Sequence, residues 1–373
     1  MSQKPKLYKY KTYRGLVNRF RDDLKTSDFV LLYAFNGTGK TRLSMEFKER
    51  GKRGGADKRD TLYFNAFTED LFHWENDFDN DRERYLQINS ESKFFSGFKE
   101  LALEEKIFGF LERYADFDFK IDYDNWKVVF EKQVKNPKHR AGSEEPEFIL
   151  EDHIKVSRGE ENIFVWCFFL AVCELVIDGN ESYNWVKYFY IDDPISSLDD
   201  NNAIGVASDL AKLLKKGKDK VKTIVSSHHS LFFNVLCNEL KNLKHNRYFL
   251  HKNGHEGHTL QKTNDTPFFH HVAILSELKQ ATDDGNVNTF HFNALRSILE
   301  KTATFFGYQD FGACVQGIED DVLYERALNL LSHGKYSVYD PVEMTEDNKE
   351  LFRKILDAFL DKYEFALPEL LKS

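Results

Sequence analysis

An apolar run, a glycine-rich turn and a lysine follow one another near the start of the chain. The apolar run is residues 28–35 (DFVLLYAF), the turn holds Asn36, Gly37, Thr38 and Gly39, and Lys40 and Thr41 open a helix predicted over 40–49. In such a strand–turn–helix, backbone N–H groups surround phosphate oxygens, the lysine reaches the β- and γ-phosphates and the hydroxyl binds Mg²⁺. We therefore predict that residues 36–41 bind ATP or GTP, with Thr41 as a ligand of Mg²⁺.

A second apolar run ends in two neighbouring carboxylates. Residues 185–193 (WVKYFYIDD) are typical of a buried strand, and Asp192 and Asp193 stand at its carboxyl end. After a phosphate-binding loop, this pattern predicts that Asp192 holds Mg²⁺ and that Asp193 orients or deprotonates the attacking water. A strand that simply ends in a capping Asp is the alternative, and the loop upstream favours the catalytic interpretation.

Three shorter motifs resemble those of ABC-type ATPases. Ser157, Gly159 and Glu160 open a long apolar helix predicted to reach residue 177, Ser196–Asp199 follows the two carboxylates, and His228 follows a predicted strand over 221–227. Each motif is common by itself, but the three motifs in this order along the chain are specific to ABC-type ATPases. The resemblance implies that Ser157, Gly159, Glu160, Asp199 and His228 also bind nucleotide. It further implies a homodimer, because in ABC-type ATPases the serine and glycine bind the γ-phosphate held by the opposite subunit.

Strands alternate with helices up to about residue 264, which predicts an α/β fold with a mostly parallel sheet. Beyond that point helical periodicity dominates, over roughly 268–282, 288–306, 320–333 and 347–363. We therefore predict two domains: an ABC-type nucleotide-binding domain over residues 1–264 and an α-helical domain over residues 265–373.

The composition of the chain bears on its binding partners and on its cellular compartment. The net charge of the 373 residues is −9, yet residues 205–262 hold eleven Lys and Arg against four acids. A polyanion responds to local charge, so a nucleic-acid partner stays compatible with the acidic total, although a solvated lysine-rich face is the simpler explanation. Four scattered cysteines favour a reducing compartment, and the longest apolar run, 163–172, is too short to span a bilayer. We therefore expect a cytoplasmic protein without membrane association.

Several blocks together resemble the PrrC-type anticodon nucleases. They are residues 33–44 (YAFNGTGKTRLS), 65–77 (NAFTEDLFHWEND), 155–161, 191–201 (IDDPISSLDDN) and 291–308 (HFNALRSILEKTATFFGY), followed by Ser332-His333. The resemblance implies an ABC ATPase that gates a C-terminal endoribonuclease, which cuts a transfer RNA, typically the lysine isoacceptor, in its anticodon loop without a metal. It also implies bacterial anti-phage defence, a type I restriction-modification complex as silencing partner, and a second, regulatory nucleotide such as dTTP.

The same resemblance implies that Arg296, Glu300 and His333 form the nuclease site. On the predicted helix over 288–306, Arg296 and Glu300 are four residues apart and lie together off the apolar face. Metal-free RNA cleavage needs a base for the 2′-hydroxyl, a cation for the phosphorane and an acid for the leaving 5′-oxygen, and these three side chains supply such groups. Which of Glu300 and His333 is base and which is acid stays open. A surface salt bridge, worth about 0.3–0.5 kcal/mol, is the alternative interpretation of the Arg–Glu pair.

Two further sets of residues carry weaker signals. Asp265 and Thr266 fall where the resemblance implies contact with the anticodon. His251, His255 and His258 could bind a metal, but a solvated loop is the favoured interpretation because no cysteine or carboxylate cluster accompanies them. The competing function is an ABC-type ATPase that binds DNA or a partner protein and has no nuclease activity.

Overall fold

The structure is a computed structural model that describes residues 7–52, 59–65, 71–76, 84–95, 103–139, 146–194, 200–253, 257–264, 274–275, 278–279, 281–315 and 344–363. These residues form two compact units. The larger contains Lys9–Ala34 and Gly39–His258, and the smaller contains Phe35–Thr38, the N-terminal residues up to Tyr8 and the chain from Thr259 onward. The domain boundary at residues 264/265 stays a prediction.

The strands are β1 (Leu7–Tyr10), β2 (Phe29–Ala34), β3 (Thr61–Asn65), β4 (Phe72–Asn76), β5 (Arg84–Ile88), β6 (Asp118–Asp122), β7 (Lys127–Lys135), β8 (Phe148–Glu151), β9 (Tyr188–Asp192), β10 (Lys222–Ser227), β11 (His245–Asn253) and β12 (Gly257–Lys262). The α-helices are α1 (Tyr13–Asp23), α2 (Lys40–Gly51), α3 (Leu103–Leu111), α4 (Arg158–Asp178), α5 (Asp200–Gly217), α6 (Ser230–Glu239), α7 (Thr289–Phe306) and α8 (Glu346–Lys362).

A seven-stranded sheet has the order β1-β12-β11-β2-β10-β9-β3. Its neighbours from β11 to β3 pair in parallel. Strands β2 and β9 are buried almost throughout, as expected for continuous apolar runs at the centre of a parallel sheet. The predicted α/β fold with a mostly parallel sheet is confirmed. Because parallel strands end at one edge, Asp192 at the end of β9 lies in register with Asn65 on β3 and Ser226 on β10.

Helix α4 is buried over most of its length, from Ile163 to Ile177. Aromatic rings supply much of this packing: the Trp166 ring lies 5.1 Å from that of Phe64, and the Phe169 ring lies 4.6 Å from it. The helix ends at Gly179, whose φ of 84° provides the left-handed C-cap. Among the described helices, none is both long enough and apolar enough to cross a membrane.

A separate antiparallel sheet has the order β4-β5-β7-β6, with β8 paired to β7. This sheet is not among the elements predicted from the sequence above. Phe119 and Phe130 both contact the ring of Phe164 on α4 at 5.0 Å, so the sheet packs on the buried helix. Apolar and charged residues alternate in β6 (DFKID), which is the pattern of a half-buried strand and the signal that could have identified it.

In the smaller unit, α7 and α8 pack around one apolar core. The rings of Phe292 and Phe352 lie 4.8 Å apart, and both side chains are fully buried. Both helices lie within about two residues of the predicted ones. The helix predicted over 320–333 and most of the one predicted over 268–282 lie outside the described residues.

Candidate functional site: a nucleotide site and an Arg–Glu pair

The tip of the predicted phosphate loop belongs to the smaller unit and forms a tight turn. The Thr38 hydroxyl donates to the Phe35 carbonyl oxygen at 2.8 Å, and the Thr38 backbone N–H donates to the same oxygen at 3.4 Å. Gly37 has a φ of 81°, and Asn36 and Gly37 are exposed. The turn therefore presents backbone to solvent at the positions where phosphate binding is predicted.

Gly39, in the larger unit, is required by its surroundings. Its φ is 92°, and a Cβ atom there would lie 2.1 Å from the Tyr13 hydroxyl oxygen. Helix α2 begins at the next residue without a side-chain cap, so its first backbone N–H groups have no side-chain acceptor from the N-cap. An uncapped helix N-terminus suits an anion such as a phosphate.

Lys40 is nearly buried and directed at the two carboxylates. Its ammonium nitrogen lies 3.1 Å from the Ala34 carbonyl oxygen and 3.1 Å from Asp193 Oδ2, and its side chain is 6 % exposed. A buried ammonium needs such an anionic partner. The structure thus brings together the predicted phosphate-binding lysine and the predicted catalytic carboxylate.

Asp193 has a left-handed backbone, with a φ of 51°. Its N–H donates to the Ser226 carbonyl oxygen at 2.8 Å, and its Oδ1 accepts from the His228 N–H at 2.9 Å and lies 2.6 Å from His228 Nδ1. A non-glycine residue in this conformation costs about 1–3 kcal/mol and persists where its contacts fix it, often at functional sites. Asp193 and His228, predicted separately, therefore form one hydrogen-bonded pair.

The electrostatics of Asp193 favour a carboxylate at neutral pH. Burial by itself would raise the pKa of Asp193, but the hydrogen bond from His228 and the charge of Lys40 outweigh burial and lower it. A carboxylate held beside an imidazole can orient a water molecule and accept its proton.

Asp192 is 1 % exposed and is held by hydroxyl groups. Ser226 Oγ donates to its Oδ1 at 2.6 Å, and Ser44 Oγ donates to its Oδ2 at 3.2 Å. Burial raises the pKa of Asp192, while hydrogen bonds from Ser226 and Thr41 act in the opposite direction. Sequence analysis did not name Ser44; the signal was its position three residues after Thr41, on the same face of α2.

The oxygen donors of Thr41 and Asp192 suit Mg²⁺. Mg²⁺ prefers hard oxygen ligands and is held by few protein groups when it binds with a nucleotide. The Thr41 side chain acts to lower the pKa of Asp192, so the two predicted ligands lie close to each other. This donor set therefore fits the predicted metal.

Ser157 and Glu160 form a capping box at the start of α4. The Ser157 N–H donates to Glu160 Oε2 at 2.7 Å, and the Glu160 N–H donates to Ser157 Oγ at 3.3 Å. At Gly159 an added Cβ would meet only Ser157 Oγ, at 4.0 Å, so packing within the chain does not require glycine. Ser157 is exposed, and its predicted contact with a nucleotide in a second copy stays a prediction. Asp199 lies outside the described residues.

Arg296 and Glu300 meet on α7 of the smaller unit. Arg296 Nε lies 2.6 Å from Glu300 Oε1, with the side chains 18 % and 48 % exposed. The Arg296 guanidinium also lies 5.3 Å from the centre of the Phe311 ring. The spacing therefore produces the predicted pair on the polar side of the helix, and its catalytic role stays a prediction. His333, Asp265 and Thr266 lie outside the described residues.

No group of three or more His, Cys, Asp or Glu side chains that could hold a metal occurs in the described part of the chain. His251 lies in β11 and His258 lies in β12. The expectation that these histidines belong to a solvated loop is therefore wrong for both of them. His255 lies outside the described residues.

Comparison with known proteins identifies the family to which this chain belongs. Residues 150–361 match the family described as "AAA domain". An Escherichia coli protein named "Anticodon nuclease" is 33% identical over 358 residues, covering 88% of this chain and 87% of the relative. The chain belongs to the anticodon nuclease family. The PrrC-type resemblance is thereby confirmed, and family membership makes the chain an ATPase-linked nuclease.

Two solved structures similar to this chain are heads of SMC proteins. One is described as "Crystal structure of the SmcHead bound to the C-winged helix domain of ScpA", at 11% identity and a TM-score of 0.31, covering 64% of this chain and 90% of that chain. Another is the "SMC head domain from Thermotoga maritima", at 13% identity and a TM-score of 0.30, covering 62% and 89%.

Proposed function

We propose that this protein is a nucleotide-gated endoribonuclease that cuts a transfer RNA in its anticodon loop, with the lysine isoacceptor as the first candidate. The name and extent of the Escherichia coli relative support the substrate class. The observation that carries the nuclease assignment is the 33% identity to this relative; the Arg296–Glu300 pair, at 2.6 Å, lies at the two positions that the resemblance assigns to catalysis.

The proposed gate is hydrolysis of ATP or GTP. In the described geometry Lys40 is bonded to Asp193, and on nucleotide binding the lysine exchanges this carboxylate for phosphate oxygens. Asp193 then keeps His228 as its partner and accepts the proton of the attacking water. Thr41 and Asp192 would hold Mg²⁺, which would neutralise charge on the phosphates.

The proposed RNA cleavage is a transesterification that uses no metal. The base removes the 2′-hydroxyl proton, the 2′-oxygen forms a bond to phosphorus, and the bond from phosphorus to the 5′-oxygen breaks as the acid donates a proton to that oxygen. The products are a 2′,3′-cyclic phosphate and a 5′-hydroxyl. Arg296 cannot give up its proton and stabilises the phosphorane, while Glu300 and His333 share the roles of base and acid.

The proposed assembly is a homodimer with nucleotide between the two copies. The exposure of Ser157 and the empty space around Gly159 support this, because a partner's phosphate can approach the N-terminus of α4. Asp199 would also contribute to nucleotide binding between the two copies. A second nucleotide such as dTTP, silencing by a type I restriction-modification complex, and a role in anti-phage defence are proposed on family resemblance.

The test is expression of the intact protein in bacteria, followed by sequencing of transfer-RNA ends. We expect growth arrest and new ends within one anticodon loop, each with a 2′,3′-cyclic phosphate. Cleavage elsewhere would contradict the substrate, and 5′-phosphate ends would contradict the metal-free mechanism. Hydrolysis without any new RNA ends would favour an ATPase that binds DNA or a partner protein.

A further inference from the structure

A basic pocket lies in the larger unit beside β3, the edge strand of the seven-stranded sheet. The residues used below are Lys48, Lys52, Arg59, Tyr63, Asn65 and Trp185, all of which line it. Among its described lining residues, none belongs to the nucleotide site assigned above. All six are only partly exposed, so the pocket is a concave feature rather than a charged plane.

The pocket combines cations with aromatic rings. The Lys48 ammonium lies 5.1 Å from the centre of the Tyr63 ring, and Lys52 is paired with Glu49. Arg59 Nε is buried and has no hydrogen-bond partner within the part of the chain that the structure describes. A buried donor of this kind is costly unless an acceptor reaches it, and a phosphate oxygen is the acceptor that Arg and Lys bind best.

One wall of the pocket is hydrogen-bonded to the magnesium site. The Tyr63 hydroxyl oxygen lies 3.1 Å from Ser44 Oγ and accepts from Asn65 Nδ2 at 3.1 Å. Ser44 in turn donates to Asp192 Oδ2 at 3.2 Å. The Tyr63 side chain is therefore two hydrogen bonds away from a predicted Mg²⁺ ligand.

We propose that this pocket binds a small phosphate-bearing molecule, and that the bound molecule regulates nucleotide hydrolysis through Tyr63 and Ser44. The guanidinium of Arg59 and the ammonium of Lys48 hold the phosphate, and the Trp185 indole is available to stack on a base when the ligand is a nucleotide. Binding is independent of the nuclease assignment, and only the effect on hydrolysis rests on the proposed function.

Binding is tested by calorimetry on the intact chain carrying Lys40→Ala, which weakens the predicted phosphate loop. The probes are inorganic tripolyphosphate and, separately, GTP. We expect one remaining site, weakened about tenfold or more by adding Arg59→Gln and unchanged by adding Arg42→Gln, an exposed control on α2. Equal loss in the two double variants, or no remaining site, would overturn the proposal.

Trp185→Ala in the same background distinguishes a nucleotide ligand from a ligand that is recognised by its phosphate alone. If the ligand is a nucleotide, this change weakens GTP binding and leaves tripolyphosphate binding unaltered. If only the phosphate is recognised, both probes bind equally before and after the change. Either result identifies the ligand of an Arg59-dependent site.

Coupling is tested with Tyr63→Phe, which keeps the ring and removes the hydroxyl group. We expect this variant to bind tripolyphosphate as the unchanged protein does, while the several-fold effect of the ligand on the hydrolysis rate disappears. A persisting effect would refute the route through Ser44. Absence of any hydrolysis in the unchanged protein would refute the proposed ATPase activity and leave the binding result valid.

Discussion

The two candidate sites are each built around a carboxylate paired with a cation, but they differ in burial. Lys40 and Asp193 lie 3.1 Å apart with side chains 6 % and 13 % exposed, whereas Arg296 and Glu300 lie 2.6 Å apart and are 18 % and 48 % exposed. A buried pair has given up its hydration and must be satisfied by fixed partners, while an exposed pair is screened and contributes about 0.2–1 kcal/mol. Burial therefore indicates that the Lys40–Asp193 pair belongs to a site with fixed partners. The shorter distance between Arg296 and Glu300 does not indicate such a site.

The two sites also differ in how the chain assembles them. Asp192 and Asp193 depend on register between neighbouring strands, which places Ser226 beside one carboxylate and His228 beside the other. Arg296 and Glu300 need only one helical turn. A constellation from several strands rarely arises without a function, whereas an Arg–Glu pair arises on many helices. The nuclease assignment accordingly depends on the family, and the nucleotide site can be recognised by its own geometry.

The largest expected effect is that of Lys40→Ala. Removing the buried ammonium deletes the predicted phosphate contact and leaves Asp193 without its charge partner, so hydrolysis should fall by about 100-fold or more. If hydrolysis gates the nuclease, transfer-RNA cleavage in cells falls with it. Arg42→Ala, an exposed change on the same helix, is the control. Normal cleavage in the Lys40 variant would separate the two sites and refute the gate.

The exposed pair is tested with Arg296→Ala and Glu300→Gln. Each should abolish RNA cleavage, as should His333→Ala, while nucleotide hydrolysis stays within about twofold of the unchanged protein. The matched control is Glu350→Gln, which breaks another exposed i,i+4 pair, Lys354–Glu350 at 3.1 Å on α8. If the Glu300 variant cleaves RNA as well as the Glu350 variant does, the Arg296–Glu300 pair is only a surface salt bridge.

Much of the nucleotide site could be predicted from sequence because its residues stand at strand ends and helix starts. Strand–turn–helix order locates Lys40, and the end of an apolar run locates Asp192 and Asp193. Ser44 was missed because a serine inside a helix has no distinctive pattern until the strand it faces is known. The antiparallel sheet from β4 to β8 was missed for a related reason: its aromatic residues pack on α4, a partner distant in sequence.

A third prediction concerns assembly and uses Asp193→Asn. The change keeps Lys40 and Thr41 for binding but removes the group that accepts the water's proton, so a nucleotide-bound dimer should accumulate. Light scattering should show twice the monomer mass with ATP or GTP and Mg²⁺, and the monomer mass without them. A monomer under both conditions would contradict the shared site.

Ser157 distinguishes helix capping from nucleotide contact. Ser157→Ala removes the cap and should cost about 1 kcal/mol of stability. Ser157→Asp keeps a capping carboxylate but repels a phosphate, so it should preserve thermal stability and still prevent nucleotide-dependent dimerisation. If Ser157→Asp dimerises normally, the residue serves only to cap α4.

The smallest expected effect is on stability, where the two neighbouring carboxylates should act in opposite directions. Burial raises the pKa of Asp192, so its charged form destabilises the fold, and this penalty grows as pH rises from the usual aspartate value to the raised one. His228 and Lys40 outweigh burial at Asp193 and lower its pKa, so its stabilising contribution is present above the usual value and is lost as pH falls through the lowered one.

At pH 7, Asp192→Asn should therefore raise the thermal unfolding midpoint by on the order of 2 °C, and Asp193→Asn should lower it by a similar amount. The Asp192 difference should shrink as pH falls through the raised pKa towards the usual aspartate value, whereas the Asp193 difference should persist down to that usual value and shrink only below it. Unfolding scans at pH 7 and pH 5 measure this. The Asp192 variant should also lose hydrolysis, because its amide is a poorer Mg²⁺ ligand than the carboxylate. Two variants that both destabilise the fold at pH 7 would mean that hydrogen bonds from Ser44 and Ser226 outweigh burial at Asp192.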